Sequence, residues 1–194
     1  MKLSIIIPVF NGGPFVRKSY QSILNQNLQA INYEIIYIDN NSTDNSIEEI
    51  CTTFANTSTT LLNLSSKDFQ NSKNKFEIDK HDIVLVRNDE NGGFGLGNNI
   101  ALRYLVENRD DEYTWLLNPD TEVEESVLID LISETEHKKK TITGNVINYF
   151  SDKSKIMYYG GFRVKKYIHG VKGIVSENNI EKISAITGTC FFTH

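Results

Sequence analysis

The segment Asn118-Pro119-Asp120 places a carboxylate directly after a strongly apolar run, Tyr-Thr-Trp-Leu-Leu at 113–117. The run predicts a buried strand, and in a parallel sheet the carboxyl end of such a strand faces a ligand crevice. One aspartate is enough to hold Mg²⁺ or Mn²⁺ when a bound diphosphate supplies further oxygen ligands. The segment therefore indicates that a diphosphate is bound through a divalent cation at Asp120.

Three other predicted strand ends also carry polar or glycine residues. They are Pro8-Val9-Phe10-Asn11, Asp39-Asn40-Asn41 and Asn91-Gly92-Gly93-Phe94-Gly95. Because parallel strands end at one edge of a sheet, all four segments can converge on a single molecule. Asn, Asp and Gly are also the ordinary residues of turns and helix caps, so each segment taken alone fits a structural role.

Two of these segments contain residue types that suit a nucleotide. Asp39 ends an apolar strand, so its carboxylate can accept a hydrogen bond from a base N–H, although a role as a helix cap fits almost as well. The glycines of 91–97 allow close approach of a ligand, and Gly95 lies near the start of a predicted helix. Their G-x-G-x-G spacing follows the third strand instead of the first, which argues against a nicotinamide or flavin site.

The predicted elements alternate between strand and helix. Apolar runs predict strands over 3–9, 33–38, 82–86 and 113–117, and helical periodicity predicts helices over 15–25, from 42 or 43 through 50, over 95–106 and over 123–138. This alternation predicts an α/β fold with a mostly parallel central sheet flanked by helices. After Thr141, short β-like runs, the last over 182–192, complete a single domain over 1–194. Residues 56–81, rich in Ser, Thr, Asn and Lys, are expected to form a surface insertion with room for one short element.

Composition and charge narrow the class of protein. The 194 residues are 39% hydrophobic and carry a net charge of -5, so the chain can form a core but has no broad basic surface for nucleic acid. Cys51 and Cys190 fit no metal-ligand spacing and predict buried or free thiols in a reducing cytosol. No apolar run approaches the roughly 20 residues that span a bilayer. We therefore expect a soluble cytoplasmic protein, with peripheral contact at the inner face of the cell membrane left open.

Taken together, the four segments resemble those of the inverting family 2 glycosyltransferases with the GT-A fold, in particular the rhamnosyltransferase-like branch. The resemblance covers essentially the whole chain: the opening strand at 4–11, the second strand end at 38–44, the glycine-rich loop at 91–99, and 116–121 as this branch's form of the D-x-D metal motif. It implies transfer of a sugar from a nucleotide-diphosphate donor to an acceptor hydroxyl with inversion, in the synthesis of a surface polysaccharide.

The resemblance also implies roles for individual residues. Asp120 would bind the metal, Mg²⁺ or Mn²⁺, with Asn118 beside it toward the sugar phosphate, and Asp39 would read the base. The segment 187–190 would border the acceptor. The complete set of residues implied to bind the nucleotide sugar is Pro8, Phe10, Asn11, Asp39, Asn41, Asn91, Gly93, Phe94, Asn99, Asn118 and Asp120.

The expected partners are a dTDP- or UDP-linked sugar donor and a saccharide or lipid-linked saccharide acceptor. In this family a later Glu-Asp-x-Asp-like stretch supplies the catalytic base, and this chain contains no Glu-Asp dipeptide. We therefore expect the donor-binding part of a longer enzyme, which binds donor but transfers poorly. Two alternatives stay open: a nucleotide-sugar-binding module without catalysis, and a sugar-phosphate nucleotidyltransferase, which would need a glycine- and basic-rich loop after the first strand.

Overall fold

A computed structural model describes residues 1–28, 31–55, 59–71, 82–109, 113–135, 142–165, 170–173, 185–186 and 190–193. The elements within these ranges are, in chain order, β1 (Lys2–Val9), α1 (Gly13–Leu24), β2 (Asn32–Asp39), α2 (Ser46–Ala55), β3 (Leu61–Ser65), α3 (Ser66–Gln70), β4 (Ile83–Arg87), α4 (Gly93–Asn108), β5 (Tyr113–Leu117), α5 (Val127–Thr135), β6 (Ile142–Gly144), β7 (Val146–Tyr149), β8 (Asp152–Tyr159), β9 (Gly161–Lys165), β10 (Gly170–Gly173), β11 (Ala185–Ile186) and β12 (Cys190–Thr193). Among the helices in these ranges, none combines the length and the apolar character needed to cross a membrane.

Seven strands form the central sheet, in the order β3-β4-β2-β1-β5-β12-β6. β1 pairs in parallel with β2 on one side and with β5 on the other, and β4 pairs in parallel with β2 and β3. β12 runs antiparallel to β5 and β6. The predicted α/β fold with a mostly parallel sheet is thereby confirmed. The hairpin of β7 and β8 and the small sheet β10-β9-β11 are the short β elements expected near the carboxyl end.

The central sheet is buried on both faces, which explains the unbroken apolar run of β1. Ile5 and Ile7 join a core formed with α1, α2 and α5, whereas Ile6 joins a second core formed with α3 and α4. All three side chains are fully buried. Because side chains alternate along a strand, a strand between two helical layers must be apolar on both faces.

The strand order reverses at β1, and this reversal opens a crevice. After β1 the chain continues to β2 on one side of it, and it later crosses to β5 on the other side. The two crossover helices, α1 and α4, pack on opposite faces of the sheet. The loop after β1 leads to α1 on one face and the loop after β4 leads to α4 on the other, so these two loops diverge at the carboxyl edge, which is where open α/β sheets bind ligands.

Residues 61–70 differ from the surface insertion expected over 56–81. β3 adds a parallel edge strand to β4, and the α3 residue Phe69 is fully buried, with its ring centroid 4.6 Å from that of Tyr104. Ser65 caps α3 by accepting from the Asp68 backbone N–H at 3.1 Å. The polar composition concealed these elements, because an edge strand and a one-turn helix bury few residues each. Residues 56–58 and 72–81 lie outside the described ranges.

Two other element boundaries differ from the predictions because tertiary contacts override local periodicity. α5 begins at Val127 instead of 123, since the Gln26 side chain bonds the Glu124 carbonyl at 2.8 Å and the Leu128 N–H at 3.1 Å and so holds 123–126 in turns. The strand predicted over 182–192 is two short strands in different sheets, β11 and β12, with residues 187–189 outside the described ranges.

A buried ion pair ties β2 to the carboxyl end of α4, at the sheet edge opposite the crevice. Arg109 bonds both carboxylate oxygens of Glu34, at 2.7 and 3.0 Å, and the Ser4 hydroxyl donates to the same carboxylate at 2.8 Å. The two charged side chains are 3% and 6% exposed. Breaking a buried pair is costly because the remaining charge stays out of water.

We predict that Arg109→Ala lowers the free energy of unfolding by about 3–5 kcal/mol, because the Glu34 carboxylate is left buried and unpaired. The matched control is Arg103→Ala on the exposed side of the same helix, with an expected change within about 0.5 kcal/mol. Urea unfolding of both variants measures the difference. Equal stabilities of the two variants would contradict this account of the ion pair.

Candidate active site

A cavity of about 340 Å³ opens at the carboxyl edge of the sheet, between the loops that follow β1 and β5. All four predicted strand ends contribute to it, although they are spread over more than a hundred residues of the chain. Its described lining residues are Pro8, Phe10, Asn11, Gly12, Phe15, Asn40, Asn91, Gly93, Phe94, Asn118, Pro119 and Asp120.

Three of the residues predicted to bind a nucleotide sugar do not line this cavity: Asp39, Asn41 and Asn99. Asp39 is only 1% exposed, whereas Asn41 and Asn99 are exposed outside the lining. Sequence reasoning also omitted four lining residues, namely Gly12, Phe15, Asn40 and Pro119. Asn40 and Pro119 lie within predicted segments and Gly12 directly follows one, so treating whole turns as the unit of prediction would have included these three. Phe15 lies on the first turn of α1, beyond the turn.

Asn11 joins the end of β1 to the loop that follows β2. Its backbone N–H donates to the Ser42 hydroxyl at 3.0 Å, and its side-chain oxygen accepts from the backbone N–H groups of Thr43 at 2.9 Å and Asp44 at 3.3 Å. Its φ of 52° lies in the left-handed region, which Asn tolerates better than most residues. Asn11 therefore fixes the shape of the cavity wall as well as lining it.

The start of α1 is anchored on the start of α2. The Gly12 N–H donates to the Ser46 hydroxyl at 3.0 Å, and the Gly13 N–H donates to the Asp44 carboxylate at 3.4 Å. Desolvation opposes ionisation of Asp44, but hydrogen bonds from the side chain and backbone of Ser46 and from Gly13 outweigh it and lower the pKa of this carboxyl. A Cβ on Gly12 would stand 3.3 Å from the Pro119 ring, so the loops after β1 and β5 meet closely here.

Asn40 links the end of β2 to the glycine-rich loop. Its side-chain N–H donates to the Gly93 carbonyl at 3.4 Å, and its side-chain oxygen accepts from the Asn88 amide at 3.2 Å. The side chain packs against Gly97 so closely that a Cβ there would lie 2.7 Å from the Asn40 amide nitrogen. Asn40 is 3% exposed yet borders the cavity, so it holds the loop in place over the site.

Asp39 has one carboxylate oxygen engaged and one without a donor among the described residues. Oδ2 accepts from the Ser42 backbone N–H at 3.2 Å, as in a capping turn, while Oδ1 is buried and finds no partner within that part of the chain. A buried acceptor without a donor costs free energy of about 1–3 kcal/mol. Asp39 thus takes the local capping role that the sequence left open, while its role in binding a base stays a prediction.

The turn at 118–121 presents Asp120 to the cavity. The Thr121 N–H donates to the Asn118 carbonyl at 3.1 Å, and Pro119 occupies the second turn position, where its fixed φ is favourable. The preceding strand residues Trp115 and Leu117 are buried and anchor the turn. Among the described lining residues of the 340 Å³ cavity, Asp120 is the only ionisable side chain.

The electrostatics of this cavity fit a divalent cation between Asp120 and an anionic ligand. Within the described ranges no three His, Cys, Asp or Glu side chains gather to form a metal site of their own. Magnesium and manganese are commonly bound through one or two carboxylates plus substrate phosphates. A single exposed carboxylate is the protein part of such a site.

Aromatic rings border the same cavity. Phe10, Phe15 and Phe94 are 48%, 47% and 42% exposed and line the opening. Large apolar side chains with this much exposure are unusual away from binding sites when they cluster. They offer flat apolar surfaces for a base or a sugar ring.

A second cavity of about 560 Å³ adjoins the first, and Asn118 and Asp120 line both. It lies between the turns at 118–126, α5 and the β7–β8 hairpin. The other described lining residues are Thr121, Glu122, Val123, Glu124, Ser126, Val127, Asp130, Asn145, Val146, Ile147, Asn148, Tyr149, Phe150, Lys153, Met157 and Cys190. Of the segment 187–190, expected to border an acceptor, only Cys190 lies within the described ranges.

Comparison with known proteins identifies the family. Residues 4–190 match the sequence profile of Glycosyl transferase family 2. The chain belongs to this family. It is 26% identical over 143 residues to the poly(ribitol-phosphate) beta-glucosyltransferase of Bacillus spizizenii, an alignment that covers 74% of this chain and 18% of that protein. It is 23% identical over 158 residues to the glycosyltransferase GlyG of Streptococcus pneumoniae, covering 81% of this chain and 43% of GlyG.

Solved structures agree on the fold of this family 2 glycosyltransferase chain. The mannosyltransferase PcManGT from Pyrobaculum calidifontis, in complex with GDP-Man and Mn²⁺, matches 78% of this chain and 37% of its own, with 16% identity and a TM-score of 0.54. Residues 1–349 of S. aureus TarS match all of this chain and 47% of their own length, with 17% identity and a TM-score of 0.51. Both likenesses confirm the GT-A-type architecture. The chain spans less than half the length of the two relatives named above.

Cys190 lines the second cavity as a buried, unreactive thiol. The Trp115 indole N–H donates to its sulfur at 3.3 Å, and the thiol donates to the Asn145 side-chain oxygen at 2.9 Å. The side chain is 2% exposed, and this burial raises the pKa of the thiol to about 11, against a smaller opposing effect of the Trp115 hydrogen bond. Since the thiolate is the nucleophile, Cys190 contributes packing and not covalent chemistry.

We predict that Gly97→Ala destabilises the chain by about 1–3 kcal/mol, because the new methyl displaces Asn40 from its hydrogen bonds. Gly95→Ala is the matched control two residues earlier on α4. A Cβ there meets nothing within 4 Å, so this change is expected to be neutral or to stabilise the protein by up to about 1 kcal/mol. Thermal or urea unfolding measures the free energy of unfolding of the two variants. Equal stabilities of Gly97→Ala and Gly95→Ala would refute the role given to Asn40.

Proposed function

We propose that this chain binds a nucleotide-diphosphate sugar in the 340 Å³ cavity and that it serves an enzyme that transfers the sugar to an acceptor hydroxyl with inversion. One observation carries the proposal: Asp120 is the sole ionisable group among the described residues of a cavity at the strand-order reversal. A diphosphate there would face an uncompensated carboxylate, and a divalent cation removes that conflict.

Asp120 would hold Mg²⁺ or Mn²⁺, and Asn118 would lie beside it toward the sugar phosphate. When bound, the cation would neutralise the charge that develops on the departing diphosphate. Two unit charges 4 Å apart interact by about 4 kcal/mol at an effective dielectric of 20, so this contribution to leaving-group stabilisation is substantial. The turn at 118–121 keeps the carboxylate at the junction of the two cavities.

Asp39 and the phenylalanines would recognise the nucleoside. The buried Asp39 Oδ1, which lacks a donor among the described residues, is the acceptor that we propose for the imide N–H of uracil or thymine, and it lies behind the cavity lining. Phe10 and Phe15 provide exposed ring faces in the lining of the 340 Å³ cavity. Asn40, Asn91 and Gly93 would bring backbone and amide groups close to the diphosphate. The Gly93 N–H donates to the Asn91 side-chain oxygen at 2.8 Å, which fixes the shape of this loop.

Inversion requires the acceptor hydroxyl to attack the anomeric carbon from the side opposite the diphosphate. The second cavity shares Asn118 and Asp120 with the nucleotide cavity, so an acceptor held there would reach a sugar placed at that junction. We propose this cavity as the acceptor site. General-base catalysis of the attack is typically worth 10²–10⁴-fold.

The chain alone is proposed to bind donor without efficient transfer, because no Glu-Asp dipeptide is present to supply the family's base. The name of the poly(ribitol-phosphate) beta-glucosyltransferase supports a place in the glycosylation of a polymer. A rhamnosyltransferase-like specificity remains a prediction, and dTDP- and UDP-linked sugars are both compatible with Asp39. Donor binding therefore tests the proposal independently of the base.

We predict that calorimetry will detect binding of uridine or thymidine diphosphate in the presence of Mn²⁺, weakened about tenfold or more by EDTA. Guanosine diphosphate serves as the purine comparison. Asp120→Asn, which keeps the size of the side chain but removes its charge, should abolish the effect of Mn²⁺. The matched control is Asp89→Asn, an exposed carboxylate outside the cavity lining that pairs with Lys67 at the surface.

Metal-independent binding that Asp120→Asn leaves unchanged would refute the proposed cation site. If none of the three diphosphates binds in the presence of Mn²⁺ or of Mg²⁺, the proposed function itself is refuted.

A further inference from the structure

The second cavity, proposed above as the acceptor site, has an unbalanced charge. Its described lining contains four carboxylates, Asp120, Glu122, Glu124 and Asp130, and one amine, Lys153. Lys153 lies 3.4 Å from Glu122 and neutralises it. A divalent cation at Asp120 would compensate that carboxylate, and it would also face the donor diphosphate. The negative charges of Glu124 and Asp130 then remain.

These two carboxylates belong to the elements that form one wall of the cavity. Asp130 is on the first turn of α5, where its Oδ2 accepts from the Ser126 hydroxyl at 3.0 Å. Glu124 precedes the helix, and its backbone carbonyl is fixed by Gln26 at 2.8 Å. Neither forms an ion pair with a lysine or arginine among the described residues. A phosphate entering the cavity would therefore be repelled by both.

The remaining lining suits hydroxyl groups. Carboxylates accept hydrogen bonds from sugar hydroxyls, and side-chain amides both donate to and accept from them. The Asn148 and Thr121 side-chain oxygens are buried without a partner within the described ranges. Tyr149, 45% exposed, provides an aromatic face at the hairpin. A volume of about 560 Å³ lies in the range of small-molecule sites, about 300–1,000 Å³.

We propose that the second cavity takes an uncharged saccharide and that Glu124 and Asp130 select against phosphate-bearing polyols. The inference rests on the proposed glycosyl transfer, and it adds the chemical class of the acceptor. It follows from the charge of the cavity, its hydroxyl-binding groups and its shared wall with the nucleotide site.

The test measures binding of matched probes to the chain saturated with uridine diphosphate and Mg²⁺. The probes are methyl glycosides of glucose, galactose and N-acetylglucosamine, each compared with its 6-phosphate by saturation-transfer NMR titration. At least one uncharged glycoside is expected to bind, at least about fivefold more tightly than its phosphate, which is the effect of one nearby unit charge in water. Equal or tighter binding of the phosphates, or binding of neither class, would overturn the inference.

Reversing the charge of Glu124 tests whether this cavity causes the preference for uncharged glycosides. Glu124→Lys should tighten binding of the phosphates by at least about fivefold, because a repulsive contact becomes attractive. Glu125→Lys is the matched control, since Glu125 is the exposed neighbour outside the cavity lining, and it should change nothing. Equal effects of the two variants would show general surface electrostatics and overturn the assignment to this cavity. Urea unfolding checks that both variants fold.

The same samples separate the two proposals. If the uridine, thymidine and guanosine diphosphates all fail to bind, the proposed function fails. If the nucleotide binds and the phosphates are preferred over the uncharged glycosides, only the acceptor inference fails.

Discussion

The site depends on the parallel register of β1 with its two neighbours. Val9 lies opposite Asp39 on β2, and Ile6 lies opposite Leu116 on β5. This register brings the ends of three strands to one edge, and it is fixed because β1 is buried on both faces. A slip by one residue would move every β1 side chain to the other helical layer and shift the strand ends out of line. Hydrophobic packing thus determines where the polar residues meet.

The polar groups at this edge hold the fold and shape the site together. Asn11 and Asn40 each tie separate loops to one another and also line the nucleotide cavity. Gln26 fixes the turn that carries Glu124 into the second cavity. The charges are arranged around the junction of the two cavities. The Asp120 carboxylate lies at this junction, which suits a cation between donor and acceptor. The proposed chemistry therefore requires few charged groups. Hydrogen bonds hold the turns that carry Asp120 and Glu124.

Much of this arrangement could be predicted from the sequence because it rests on local signals. The β-branched run at 3–9 and the Asn118-Pro119-Asp120 turn gave strands and strand ends whose convergence the fold confirms. What escaped prediction depends on tertiary contacts. β3 and α3 bury too few residues to stand out in a polar stretch, and the Gln26 contacts shorten α5. The backbone also turns so that Asn40, and not Asp39, lines the cavity, which no periodicity reveals.

Hydrogen exchange of backbone amides with and without uridine diphosphate and Mn²⁺ tests most directly whether the four strand ends form one nucleotide site. The account predicts slower exchange in 10–13, 40–44, 93–98 and 120–122 together, with no change around Glu34 and Arg109 at the opposite edge. Protection confined to a single one of these segments, or located at the opposite edge, would contradict it.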